Sequence, residues 1–231
     1  MKTIGIIGAM EEEVALIKGK MDVISAKNIV GVDFYMGNMG GKTIILVRSG
    51  IGKVNAAICV QVLADMYGVD YIINVGVAGG LSKELGIGDV VISTDLVQHD
   101  MDVSAFGDPV GTIPRMAESF FKADPELQKT ALRAGADISD CRVVAGRIAS
   151  GDQFISDAVA KKRIVDLFRP QCVEMEGAAI AHACYLNKIP FIVIRAISDA
   201  ADDQAPMSFD QFVLVAAQNS SAMVERMIQL L

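Results

Sequence analysis

Thr43-Ile44-Ile45-Leu46-Val47-Arg48-Ser49-Gly50-Ile51-Gly52-Lys53 passes from an apolar, β-branched run through two glycines into a segment of helical period. That change of period decides the fold class. Residues apolar throughout belong to a strand covered on both faces of its sheet. The same alternation recurs along the chain, with strands expected at 4–7, 43–48, 71–75, 89–94, 142–149, 171–174 and 191–197. Helices are expected at 11–20, 53–67, 125–134, 157–167, 177–186 and 209–231, the last with Ser208 as N-cap and Asp210 in its first turn. Strands alternating with helices define an α/β layered domain. No linker divides the 231 residues, so one domain spanning 1–231 is expected.

Hydrophobic residues make up 52% of the chain, which excludes disorder, yet no apolar run approaches the roughly 18 residues of a membrane span. The formal charge of −7 offers no basic footprint to nucleic acid or anionic lipid, so small molecules are the expected partners. Ile4-Gly5-Ile6-Ile7 followed by three acids is not the basic-then-apolar order of a secretory signal, and a cytoplasmic location is expected. Cys59, Cys141, Cys172 and Cys184 form no CxxC and read as buried thiols. His182 lies on an apolar helical run and reads as structural. His99, in a polar loop with Asp100 and Asp102, has no second histidine at ligand spacing, so no metal is expected.

Two glycine turns follow strands. Ser49-Gly50-Ile51-Gly52-Lys53 is not a P-loop, because Val47 and Val54 stand where glycine and Ser or Thr are needed. It is not a dinucleotide fingerprint either, since Asn55 replaces the last small residue. Gly76-Val77-Ala78-Gly79-Gly80 is either a plain turn or a place where backbone approaches a ligand. Residues 98–123, with Gly107, Pro109, Gly111, Pro114 and three phenylalanines, are expected to form a partner surface or a long binding loop, and 200–208 a mobile, lid-like connection.

Cys172-Val173-Glu174-Met175-Glu176-Gly177-Ala178-Ala179-Ile180-Ala181 puts two carboxylates into an apolar stretch. Buried and unpaired, each would cost several kcal/mol or take up a proton, so each needs a cation, backbone donors or a donor-bearing ligand. The plain reading is two first-turn helix acids. Glu176, directly before a helix-like run, is the one expected to meet the helix N–H groups, and a sugar diol would satisfy it. Glu11-Glu12-Glu13 and Asp199 also follow buried strands, at the strand ends where open α/β sheets bind ligands. Arg195 reads as an ion-pair partner of Glu174 or Glu176. Asp199, at a strand end before a loop, suits a proton donor.

Four segments taken together are more specific than any one. Gly5-Ile6-Ile7-Gly8-Ala9-Met10-Glu11-Glu12-Glu13, the Ser49–Lys53 turn, Val173-Glu174-Met175-Glu176 and Arg195-Ala196-Ile197-Ser198-Asp199 resemble, in order and end to end, the 5′-methylthioadenosine/S-adenosylhomocysteine nucleosidase family. Ser150-Gly151-Asp152-Gln153-Phe154-Ile155 and His99-Asp100-Met101-Asp102-Val103-Ser104-Ala105-Phe106-Gly107 resemble further family segments.

The resemblance implies a three-layer αβα nucleoside phosphorylase-like fold around a central twisted mixed sheet, and a homodimer. It implies hydrolysis of the N-glycosidic bond of methylthioadenosine, S-adenosylhomocysteine and 5′-deoxyadenosine, without cofactor or metal, in methionine salvage and nucleoside catabolism. Glu13 is the implied base for the attacking water and Asp199 the acid at adenine N7, oriented by Ser198. Glu176 is implied to hold the ribose hydroxyls over Met175, with Phe154 and the Ile155 backbone on adenine and Arg195, Ala78 and Gly79 around them. Met10, Ile51 and Phe209 are implied to hold the 5′ tail, with Val103, Phe106 and Pro114 of the partner subunit closing that pocket. An unperturbed Asp, near 3.9, is ionised at neutrality, so Asp199 needs apolar enclosure to act as an acid. One departure is Val77, where many family members have serine. Water or Ser198 is expected to supply what that hydroxyl does.

Other functions fit the residues less well. A purine nucleoside phosphorylase would place phosphate near Glu13, a repulsion of about 4 kcal/mol per charge pair at an effective dielectric near 20, leaving Arg48 and Arg195 as anion ligands. Futalosine-like compounds and AMP are alternative substrates, AMP requiring a basic 5′ pocket. A non-catalytic nucleoside sensor would not need both Glu13 and Asp199.

Overall fold

The computed structural model describes residues 2–136, 138 and 141–231. The chain runs β1 (Thr3–Gly8), α1 (Glu11–Gly19), β2 (Asp22–Ile29), β3 (Val32–Met39), β4 (Lys42–Arg48), α2 (Lys53–Tyr67), β5 (Tyr71–Gly80) and β6 (Val90–Gln98). After a short 3-10 turn (Ser104–Phe106) come β7 (Phe120–Lys122), α3 (Pro125–Gly135), β8 (Val143–Ser150), α4 (Ala158–Phe168), β9 (Cys172–Glu174), α5 (Gly177–Asn187), β10 (Phe191–Asp199) and α6 (Ala205–Leu230).

One mixed sheet holds all the strands. β1 lies between β4 and β5, parallel to both, and β5 continues in parallel into β10. β10 turns antiparallel onto β6, which pairs with β8, which pairs with β9, which returns to β5. The strands β5, β10, β6, β8 and β9 therefore close into a ring, while β4, β3 and β2 form an open antiparallel wing.

Alternating side chains within each central strand enter different cores. Ile4 and Ile6 pack with α1, α3 and α6, whereas Ile7 joins the cluster under α2 and α5. Ile192, Ile194 and Ala196 go the first way, Val193 and Ile197 the second. Strands buried on both faces carry no polar face, hence their unbroken apolar runs. Each fully buried Ile, Val or Leu contributes roughly 1.5–3 kcal/mol of transfer free energy. Helix ends follow local chemistry. Asp124 accepts the Glu126 and Leu127 N–H groups to start α3, Asp157 does the same for Val159 and Ala160 in α4, and Gly68, at φ +55°, ends α2.

Several segments depart from expectation. The hairpin of β2 and β3, turning on Val30 and Gly31 at positive φ, and the strand β7 lie outside the expected strands. β5 runs on through Gly76–Gly80 instead of turning there, because those residues pair with β10 and β9. Helix α6 starts at Ala205 with Gln204 as its N-cap, not at Phe209 with Ser208. Pro206 fits its first turn, where a missing N–H breaks no helical bond. The stretch 200–208 is thus partly helix. His99 is buried, its N–H donated to Ser150 O, and not in an open polar loop. Among the described residues no helix is long and apolar enough to cross a membrane.

Candidate active site

The carboxyl ends of β1, β5 and β10, parallel neighbours in the sheet, open into one cleft. Glu13, Glu174, Glu176 and Asp199 line it together with Met10, Ile51, Val77, Ala78, Gly79, Phe154, Met175, Ser198 and Phe209.

Glu13 comes from the first turn of α1. Its Oε2 accepts the Ala9 N–H at 2.6 Å and the Met10 N–H at 3.0 Å, and Oε1 accepts the Val77 N–H at 3.0 Å. It therefore also caps the start of its own helix. Burial raises its pKa, and the Arg195 charge and the backbone donors only partly offset that. Gly76 is required beside it, since a Cβ there would stand 2.4 Å from Oε1.

Glu174 and Glu176 divide the work differently from expectation. Glu174, not Glu176, takes the N-terminus of α5, accepting the Glu176 and Gly177 N–H groups at 3.0 and 2.8 Å. It also accepts from the Ser150 hydroxyl and from Arg195 Nε, the latter at 3.2 Å. Burial would raise its pKa, but the Arg195 charge and these hydrogen bonds outweigh it and hold the carboxyl below its ordinary value. Glu176 instead reaches the start of α2, where Oε1 accepts the Gly52 N–H at 2.8 Å. The neighbouring Lys53 N–H binds Asp152 Oδ1 at 2.8 Å. This glycine turn therefore holds protein carboxylates where a P-loop would hold phosphate. Burial and then repulsion from Glu174 push the Glu176 carboxyl up to about 8.

Arg195 lies behind the cleft wall, 1% exposed, bound to Glu174 and donating Nη2 to Asn74 Oδ1 at 2.6 Å. Its Nη2 is 3.9 Å from Glu176 Oε2. The expected ion pair is present and is principally with Glu174.

Asp199 sits at a bulge in β10, where Ile197 opposes Ala78 and Asp199 opposes Gly79, leaving Ser198 extra. Bulges re-aim side chains, and this one turns the carboxyl into the cleft. Asp199 Oδ2 accepts the Ser198 hydroxyl at 2.8 Å and Oδ1 the Ala201 N–H at 2.8 Å. Both favour the anion, but burial outweighs them and raises the pKa. The Ser198 hydroxyl is thereby committed to Asp199, and Val77 supplies only its N–H to Glu13.

Phe154 meets Phe209 edge-on at 5.9 Å across the mouth. The Ile155 side chain is buried in a separate cluster with Leu81, Ile164 and Phe168. Val103, Phe106 and Pro114 do not line this cleft, and Phe106 projects 89% exposed from its loop. Ala9 and Val173 also line the cleft, with apolar side chains that carry no signal of it in the sequence. His182 stacks on Phe121 at 4.8 Å, remote in role from the carboxylates.

A family model described as the phosphorylase superfamily matches residues 3–229, and the chain belongs to that superfamily. It is 42% identical over 231 residues, 99% of each chain, to a protein of Marinomonas sp. (strain MWYL1) named 5′-methylthioadenosine/S-adenosylhomocysteine nucleosidase. Within the superfamily, the chain belongs to the family of these nucleosidases. The crystal structure of such a nucleosidase from Neisseria meningitidis in complex with methylthio-immucillin-A superposes with a TM-score of 0.97 at 41% identity, covering 100% of both chains. The futalosine hydrolase of Helicobacter pylori superposes at 0.94 with 38% identity, covering 100% of this chain and 98% of its own.

Proposed function

We propose that this chain hydrolyses the N-glycosidic bond of 5′-methylthioadenosine and S-adenosylhomocysteine, releasing adenine and the corresponding thioribose. The observation that carries this reading is the charge of the cleft. Four carboxylates line it, and among the described lining residues there is no lysine or arginine. A phosphate nucleophile would meet about 4 kcal/mol of repulsion per charge pair at close range, whereas water meets none. Arg195, behind the cleft wall, is committed to Glu174 and Asn74.

In the proposed reaction the bond from C1′ to adenine N9 breaks as Asp199 gives its proton to N7, so that adenine leaves neutral. Water oxygen bonds C1′ and its proton passes to Glu13. Each acid has the pKa shift its role needs. Burial keeps Asp199 protonated further towards neutrality and makes Glu13 a stronger base. Glu13 Oε1 accepts one N–H, from Val77, and so keeps a lone pair for water. The ribose hydroxyls donate to Glu176, which favours its ionised form on binding and sets a negative charge beside the cationic sugar of the transition state. Met175 lies under the sugar, Phe154 and the Ile155 backbone take the base, and Met10, Ile51 and Phe209 enclose the thioether. Exposed Phe106, with Val103 and Pro114, completes the same pocket in a second copy of the chain.

Adenine release from methylthioadenosine in phosphate-free buffer tests the reading. Turnover is expected there at the rate seen with phosphate, and strict dependence on phosphate would establish a phosphorylase instead. Futalosine hydrolysis is a second reading, favoured by the likeness to the Helicobacter pylori enzyme. It needs the same carboxylates and a different tail.

A further inference from the structure

A larger cleft of about 650 Å³ adjoins the first, sharing Ala9, Met10 and Ile51 as a common wall. Met10 and Ile51 are the residues that enclose the 5′ thioether in the proposed reaction, so a longer 5′ substituent leaves the inner cleft along this wall. The outer cleft differs in kind, with Arg48 and Lys18 as cations and Glu11, Glu12 and Asp33 as anions.

These charges are not equally available. Lys18 Nζ lies over the Tyr35 ring at 3.7 Å, and Asp33 accepts from Asn28 Nδ2 at 2.7 Å. Arg48 meets Glu11 at 3.3 Å with both side chains 57% exposed, a pair worth about 0–1 kcal/mol that a better partner can open. Glu12 is exposed, and its side chain makes no ion pair or hydrogen bond with the described residues. An exchangeable guanidinium and an unengaged carboxylate in one cleft match a ligand bearing a carboxylate and an ammonium. S-Adenosylhomocysteine ends its 5′ thioether in such an α-amino acid, while methylthioadenosine ends in a methyl group.

We propose that the outer cleft is the subsite for the zwitterionic amino-acid end of a long 5′ substituent, with Arg48 binding its carboxylate bidentately and Glu12 its ammonium. The inference rests on the nucleosidase reading above. It makes Arg48 a specificity residue outside the reacting centre, where the fork of its guanidinium suits a carboxylate better than a lysine would.

The test compares kcat/KM for two substrates. Arg48→Gln is expected to lower the value for S-adenosylhomocysteine about 10-fold, mostly through KM, and to leave methylthioadenosine within about 2-fold. Glu12→Gln should lower the same substrate about 3-fold, and an analogue lacking only the carboxylate should not respond to Arg48→Gln. Turnover of methylthioadenosine by each variant reports that it is folded. Equal effects of Arg48→Gln on both substrates, or no effect on either, would overturn the subsite. So would a wild-type chain that cleaves methylthioadenosine but not S-adenosylhomocysteine, with the hydrolase reading left standing. Failure of the wild type to cleave either compound would instead remove the hydrolase reading, and the subsite with it.

Discussion

The inner and outer clefts share a wall and both carry carboxylates, yet they treat charge in opposite ways. At the inner cleft Glu13 and Glu174, with Arg195 behind the wall, are buried, each carboxylate is met by backbone N–H groups, and the protonation equilibria move. In the outer cleft Glu11 and Arg48 stand in water, and their pairing is exchangeable. One turn of α1 spans both environments, with Glu11 and Glu12 outside and Glu13 inside. Burial, not residue type, separates chemistry from recognition. Buried charges fixed by backbone donors are preorganised for a transition state, whereas exposed ones reorganise at little cost around whatever arrives.

The contrast can be broken most severely at the inner cleft. Glu13→Gln and Asp199→Asn should each reduce kcat for methylthioadenosine by about 10²–10⁴-fold, as expected for loss of a general base or acid. Near-normal turnover in either variant would remove that residue from its role. Next in size, Arg195→Leu leaves Glu174 buried without its cation and should destabilise the fold by about 3–5 kcal/mol in urea unfolding. Stability close to wild type would mean that the buried charges are not energetically coupled.

A smaller effect lies in pH. Glu176 has its folded pKa raised from 4.5 to about 8, so between those values the folded chain holds more protons than the unfolded one and loses stability as pH rises. Glu176→Gln lacks this dependence. Its Tm relative to wild type should climb across that window, and a constant or falling difference would contradict the assigned shift. Glu174, held low, contributes with the opposite sign. Its stabilisation is present above pH 4.5 and is lost as pH falls through its folded value. The smallest effect belongs to the rim, where Glu11→Gln should change stability by no more than about 1 kcal/mol.

Legibility in the sequence followed burial as well. The runs at Ile4, Ile44, Ile72 and Ile192 were readable because strands covered on both faces are apolar throughout. β2 is not legible because almost all of it is exposed, so neither period nor composition marks Asp22–Ile29. The start of α6 is not legible because Ser208 is a strong N-cap type while the residue that serves, Gln204, makes no side-chain cap bond. Each acid that lines the inner cleft stood out as a charge in or after an apolar run. Arg195 and Ser198 were legible as their partners too, but the backbone donors were not, because the N–H groups of Ala9, Val77 and Gly52 belong to residues with no polar side chain. The exchange of duties between Glu174 and Glu176 likewise depends on which helix N-terminus each carboxylate reaches. Spacing along the chain does not encode that.

The most direct test of the central claim, that the carboxylate-lined cleft delivers water to C1′, is turnover of methylthioadenosine in heavy-oxygen water with phosphate present, followed by mass spectrometry of the sugar. The structure predicts free methylthioribose carrying one solvent oxygen at C1 and no phosphorylated sugar. A sugar 1-phosphate, or methylthioribose lacking solvent oxygen when back-exchange is quenched, would contradict it.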